Sequence, residues 1–272
     1  MHLRARSIAL VATHVFKESV RDKVLYNLVA FAVLLIGVSY LIGQLTAGQD
    51  VKMVKDLGLA AMSVFGLFIA IFIGVGLVAK ELERRSVYAL LVKPIERHEF
   101  ILGKYAGLML TLAINVAIMT VAYYAVLWGV AQSFPAESRE MWTVPVLDPA
   151  LMKAIVLIVA QFGLVTAIAL FFSTFSSPFL SAALSFALYV AGHFGADLRE
   201  FGAITESPLT AALCTAVSYV IPNFSVLDVK AAVVHGRPVS WTFVAGGVGY
   251  VAVYASAVLT AAMLIFSRRD FR

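Results

Sequence analysis

Six stretches of this chain carry no Asp, Glu, Lys or Arg and are long enough to cross a bilayer: Val24–Gln44, Leu57–Ala79, Tyr105–Ala131, Ala154–Phe175, Pro178–Ala196 and Trp241–Ser267. A helix rises about 1.5 Å per residue, so crossing roughly 30 Å of hydrocarbon takes about 20 apolar residues. Barrel strands would be about 10 residues long with alternating polarity, which these runs do not show. Composition agrees, with 61% hydrophobic and 14% charged residues where a soluble domain has about 45–50% and about 25%. That balance excludes a disordered chain, a soluble two-domain enzyme and a nucleic-acid binder. The chain reads as an all-α integral membrane protein, one transmembrane domain over residues 1–272 with six transmembrane helices. Ser176 and Ser177 alone separate the fourth and fifth spans, so Pro178 is expected at the first turn of the fifth helix.

A seventh apolar stretch, Pro208–Ile221, has 14 residues and is too short to cross. Within the outer loop 197–240 it reads as a re-entrant or interfacial segment, ended by Pro222 and Asn223. Loop charges orient the six spans. One side (residues 1–23, 80–104, 176–177 and 268–272) holds 14 Lys and Arg and 7 acidic residues; the other holds 7 and 9. The first is therefore the cytoplasmic side of an inner membrane, with both termini on it. The net charge of +5 thus reflects topology, and no nucleic-acid partner is expected.

The first apolar run begins at Val24 and exceeds the roughly 7–15 residues of a signal core, so no cleavable leader is expected. Ser7–Arg21 is instead amphipathic. At helical spacing Ile8, Val11, Ala12, Val15, Phe16 and Val20 share one face and Thr13, His14, Lys17, Glu18 and Arg21 the other. This predicts an interfacial helix on the cytoplasmic surface.

Catalytic patterns are missing. There is no phosphate-binding G-x-x-x-x-G-K-[ST], no H-E-x-x-H and no G-x-S-x-G. A single cysteine, Cys214, and five scattered histidines offer neither a disulfide framework nor a metal site. Gly246, Gly247 and Gly249 lie inside the last span and are expected to serve close helix packing. The polar residues within spans are Asn27, Gln44, Asn115, Gln161 and His193. Asn115 and Gln161 are expected to bond between helices, and His193 to pair locally with Asp197. The spans contain no Asp, Glu, Lys or Arg that could carry protons or sodium.

The densest polar segment is Lys80–Lys104, KELERRSVYALLVKPIERHEFILGK. It opens with Glu81, Glu83, Arg84 and Arg85. An apolar patch follows, and Pro94 breaks the helix. Ile95–Leu102 forms a second short helix before Gly103 and Lys104 re-enter the membrane. An apolar patch rimmed by charges suits docking into a groove of a soluble partner.

The run E-x-E-R-R-S-V-Y-x-L-L-x-K-P-I-x-R-x-E-F-x-L-G-K resembles the cytoplasmic loop of ABC-2-type permeases, the membrane subunits of one class of ATP-binding-cassette exporter. The amphipathic N-terminal helix, the six-span layout and the terminal Arg-Arg-Asp agree with that resemblance. Ile221-Pro222-Asn223-Phe224 and His235-Gly236 are similar to the outer loop of a subgroup serving nitrous-oxide-reductase maturation and gliding motility. The resemblance implies that Ser86–Phe100 is a coupling helix docking into a separately encoded ATPase. The contacts would come from Glu81, Glu83, Arg84, Arg85, Tyr88, Leu90, Leu91, Lys93, Pro94, Ile95, Arg97, Phe100, Gly103 and Lys104. It implies two ATPase copies carrying ATP and Mg, no cofactor and no enzymatic activity in this chain, and a second permease copy or paralogue. The substrate path would run between protomers along the first, second and fifth spans, past Tyr26, Tyr40, Phe65, Phe68, Phe72, Phe186 and Tyr189. Membrane lipid and an extracytoplasmic protein are further expected partners. Competing readings are a secondary transporter or channel, a membrane-embedded enzyme and a membrane anchor.

Overall fold

A computed structural model of the chain describes residues 2–44, 50–83, 97–133, 144–195, 200, 204–205 and 207–268. Among the described residues there is no strand. In chain order the helices are α1 (His2–Val20), α2 (Lys23–Gln44), α3 (Asp50–Glu83), α4 (Arg97–Ser133), α5 (Leu151–Ser173), α6 (Pro178–His193), α7 (Pro208–Val220), α8 (Lys230–Val234) and α9 (Trp241–Arg268), with a 3-10 turn at Ser225–Leu227.

Five of them, α2, α3, α4, α5 and α9, are long and apolar enough to cross a membrane, which makes this a multi-pass membrane protein. They coincide with five of the six expected spans. The remaining one, Pro178–Ala196, is met by α6, whose 16 residues reach about 24 Å and fall short of the hydrocarbon thickness. In contrast α3 and α4, with 34 and 37 residues, reach about 51 and 55 Å. They extend past their uncharged segments at both ends. A charge-free window ends where a charge occurs; a helix ends only where its backbone hydrogen bonding ends.

The junctions follow local chemistry. Asp22 accepts a hydrogen bond from the Val24 amide at 2.9 Å, satisfying a free donor at the start of α2. Ser177 caps α6 by accepting from the Leu180 amide, with Pro178 at the first turn as expected. Ser207 followed by Pro208 opens α7 in the same way. Gly236 adopts φ 71° and closes α8. The Arg237 amide donates to Ala232 O and the Gly236 amide to Val233 O, the paired bonds of a left-handed helix stop.

Helix α5 is the hub. Helices α3, α4, α6 and α9 pack on it, α2 packs on α3 and α4, and α1 packs on α4. Every residue from Gln161 to Leu170 is buried. In lipid, packing rather than water exclusion drives helix association, so small residues sit where backbones approach. A Cβ on Gly66 of α3 would lie 2.1 Å from the Phe162 ring of α5, and one on Gly74 would lie 2.9 Å from Ala169 Cβ.

Candidate functional site

One end of the bundle is organised around the start of α4. The apolar face expected for Ser7–Arg21 docks there. Val11 and Val15 sit over Gly103 and Gly107, where an added Cβ would approach Val11 Cβ at 2.6 Å and Ala12 O at 2.6 Å. Val15 is buried as a result. Gly103 and Gly107, one turn apart, are the seat that lets α1 lie against α4. On another side of α4, Phe100 stacks on Phe266 of α9 with ring centroids 6.0 Å apart and planes inclined by 16°. The Lys104 ammonium lies 4.5 Å from the Phe100 centroid, an arrangement favoured by the ring quadrupole. Lys104 and Glu99 are both buried. The first three turns of α4 therefore join α1, α4 and α9 mechanically.

The expected docking residues divide by position. Glu81 and Glu83 lie in the last turn of α3 and Arg97 opens α4. Phe100, Gly103 and Lys104 form the junction just described. Arg84, Arg85, Tyr88, Leu90, Leu91, Lys93, Pro94 and Ile95 lie outside the described residues.

The residues expected along a substrate path are dispersed. Tyr26, Phe68, Phe72 and Phe186 are exposed, and Phe68 and Phe72 stack with centroids 6.3 Å apart on α3. Phe65 packs against the core. The Tyr40 hydroxyl shares a 2.9 Å hydrogen bond with Ser133 Oγ, linking α2 to α4. Tyr189 belongs to a different cluster, packed against His193 and Phe224.

That cluster is the lock at the opposite end. Phe224 is fully buried, stacks on the His193 ring at 5.8 Å and 14°, and donates its amide to Gly192 O at 3.0 Å. A Cβ on Gly192 would meet Pro222 O at 2.4 Å, so only glycine admits the segment so closely. Asn223 Oδ1 accepts from the amide and hydroxyl of Ser225 at 3.1 and 2.6 Å, and the Asn223 backbone N–H donates to the Tyr250 hydroxyl of α9 at 2.9 Å. His193 bonds Gln161 of α5, Nε2 to Nε2, at 3.2 Å. Its Nδ1 faces Tyr189 O at 3.0 Å. A carbonyl can only accept, so Nδ1 carries the proton and Nε2 accepts from Gln161. Gln161 thus bonds between helices as expected. Asn115 instead donates to Thr111 O of its own helix at 2.7 Å, and the His193 ring is engaged by Gln161 and Tyr189. Asp197 lies outside the described residues.

Sequence reasoning missed Lys55. It is fully buried in α3, inside the apolar stretch Val51–Gly76. Its ammonium donates to Pro145 O at 2.7 Å, and the Tyr123 hydroxyl donates to Lys55 O at 3.1 Å. The signal was present, since Val51, Lys55, Gly58 and Met62 recur at helical spacing on one face. Lys230 does similar bridging work: it reaches Ser63 of α3 at 3.2 Å and pairs with Asp228 at 3.3 Å. Of the three glycines of α9, only Gly247 packs closely, against Leu157. Gly246 and Gly249 have nothing within 4 Å of an added Cβ, so the expected packing role holds for one of them within this chain.

No group of His, Cys, Asp and Glu suited to a metal occurs among the described residues. A comparison with curated proteins returns no match. Residues 9–271 match the family model described as ABC-2 family transporter protein. A match over nearly the whole chain, on a bundle of apolar helices, shows that this protein belongs to the ABC-2 transporter family and is a membrane subunit of an ATP-binding-cassette transporter.

Proposed function

We propose that this chain is the permease half of an exporter driven by a separately encoded ATPase. Family membership implies an ATPase partner. The observation that supports coupling here is the α1–α4–α9 junction beside residues 84–96. The Gly103 and Gly107 seat and the Phe100–Phe266 stack tie α1 and α9 to the first turns of α4. In this reading Ser86–Phe100 docks into the ATPase, and ATP binding draws two such loops together. The motion passes through α4 into the bundle and biases it between two states. Two copies of the chain, or one and a paralogue, complete the pathway. The basic side of the chain, with both termini, faces the cytoplasm; the sixth span is the whole 19-residue stretch Pro178–Ala196, of which α6 alone covers about 24 Å; and α7 lies at the outer surface, where about 20 Å of helix is too short to cross.

Co-expression with candidate P-loop ATPases tests the reading. The chain is expected to co-purify with one of them, and Leu90→Ala, Leu91→Ala and Arg97→Ala are expected to abolish substrate-stimulated ATP hydrolysis. Transport by the isolated chain under a proton gradient, with no ATPase present, would overturn it in favour of a secondary carrier. The cargo itself is best sought by its effect on that hydrolysis.

A further inference from the structure

Helix α8 and the chain leading into it carry an ion pair into the bundle from the end opposite α1. Leu227 meets Leu157 of α5 at Gly247 of α9, where an added Cβ would lie 3.1 and 2.8 Å from the two leucine side chains. Leu157 and Gly247 each lie six residues into their helices, about 9 Å from where α5 and α9 begin. Three residues after Leu227, the Lys230 ammonium donates to Ser63 Oγ at 3.2 Å and pairs with Asp228 Oδ2 at 3.3 Å. Ser63 is buried and follows Lys55 by eight residues, which places it about 12 Å further along α3. The pair thus sits well below the end of the bundle.

Between α7 and α8 the backbone is not α-helical; it holds only the 3-10 turn Ser225–Leu227. Such backbone at membrane depth persists only where it is buried in protein or lines a water-filled cavity. Both conditions are met. Phe224 and Leu227 are buried, whereas the Lys230 and Asp228 side chains keep 22% and 31% of their surface open. An ion pair open to hydrocarbon is costly, so the opening faces water or a polar ligand.

The pair also keeps unused bonding capacity. An ammonium has three protons and a carboxylate about four acceptor sites. Among the described residues Lys230 commits two protons, to Ser63 and Asp228, and the Asp228 carboxylate accepts from the Lys230 amide and ammonium. A free donor beside free acceptors, with no net charge, is complementary to a head that carries both signs. The Tyr189 hydroxyl of α6 lies within electrostatic range of Asp228. Toward α1 from Ser63 and Tyr189, Phe68 of α3 and Phe186 of α6 are exposed and offer apolar surface to an alkyl chain.

We propose that Asp228 and Lys230 bind the head of a zwitterionic amphiphile in the outer half of the substrate path. The inference rests on the permease reading for what the path carries, but the binding step itself needs no ATPase. The charge-free spans conceal this site, because its charges arrive from the outer loop 197–240.

Photolabelling of the full chain in phosphatidylglycerol nanodiscs tests this. The probes are lysophosphatidylethanolamine, lysophosphatidic acid and monoacylglycerol, each with a diazirine at the head end of the same acyl chain. Their heads are zwitterionic, anionic and neutral. Mass spectrometry is expected to find label within residues 63–68 and 186–190, about tenfold more from the zwitterion than from the neutral probe. Asp228→Asn leaves a lone cation and is expected to shift the preference to lysophosphatidic acid. Asp228→Asn/Lys230→Gln is expected to lose the preference altogether. Head preference is a ratio within one preparation, so a poorer yield of folded variant does not imitate it. Equal labelling of the unaltered chain by the zwitterionic and neutral probes overturns the proposal, as does an unchanged preference in Asp228→Asn. Either of those results leaves co-purification with an ATPase untouched, and failure to find an ATPase partner leaves the labelling untouched. Nanodiscs of phosphatidylethanolamine name the source: suppressed labelling there assigns a bilayer lipid, persistent labelling a free amphiphile, and both support the site.

Discussion

Helices α5 and α9 are alike in sequence character and opposite in situation. Both are apolar and of spanning length, yet 72% of the α5 stretch is buried inside the protein against 22% of α9. Helix α5 turns most of its surface to neighbours within the chain. Helix α9 buries one stripe, Val244, Val251, Ala255, Leu259 and Phe266, and leaves Trp241, Phe243, Val248, Val253 and Leu264 exposed. Hydropathy cannot separate the two, because lipid and protein interior are equally apolar. Glycine surroundings can. Where a glycine faces a ring or a backbone within 3 Å the partner is already present; where it faces open space the partner is lipid or another molecule.

Substitutions at glycines probe that contrast directly. The largest effect is expected for Gly66→Val, whose methyls have no room against the buried Phe162 ring: unfolding in mixed micelles should show a loss of about 3 kcal/mol. A smaller loss measured there would mean that α3 can move off the hub. Gly107→Leu should cost about 2 kcal/mol by lifting α1 from the backbone at Ala12. In the assembled transporter the same variant should uncouple ATP hydrolysis from substrate while the ATPase still binds. Gln161→Leu removes the bond to His193 between α5 and α6 and should cost about 1 kcal/mol. At the bottom of the scale is Gly249→Ala on the open face of α9. It should leave the solitary chain unharmed, and even stabilise it by up to about 1 kcal/mol through helix propensity. If Gly249→Leu weakens self-association seen by crosslinking while the solitary chain keeps its stability, α9 is covered by a second copy.

Much of the fold was legible in the chain. The starts of α2, α6 and α9 lie within a residue of the expected positions: that of α6 from Pro178, those of α2 and α9 from where the charge-free runs begin, and the structure adds caps at Asp22, Ser177 and Ser240. The Ser240 hydroxyl accepts from the Phe243 amide at 3.1 Å. The amphipathic face of α1 was legible from spacing alone. The start of α3 was not, since reading from charge-free windows placed Lys55 in a loop, whereas the helix carries it into the interior and satisfies its ammonium with Pro145 O. Nor was the bond between His193 and Gln161 legible, since the two lie 32 residues apart in the chain. The Ile221-Pro222-Asn223-Phe224 run stood out as a motif, yet nothing in its composition said that Phe224 would be seated beneath His193.

The amino-acid sequence by itself determined that this is a helical membrane protein, because a backbone in hydrocarbon must satisfy its own hydrogen bonds and apolar runs of this length admit only helices. It also determined the family, through a pattern extending over residues 9–271. The tertiary structure alone decided which apolar helix is the hub and which faces outward, which glycines carry contacts, and which polar groups meet. Those outcomes depend on shape fitting between segments far apart in the chain, as where Gly66 receives Phe162 and Lys230 reaches Ser63.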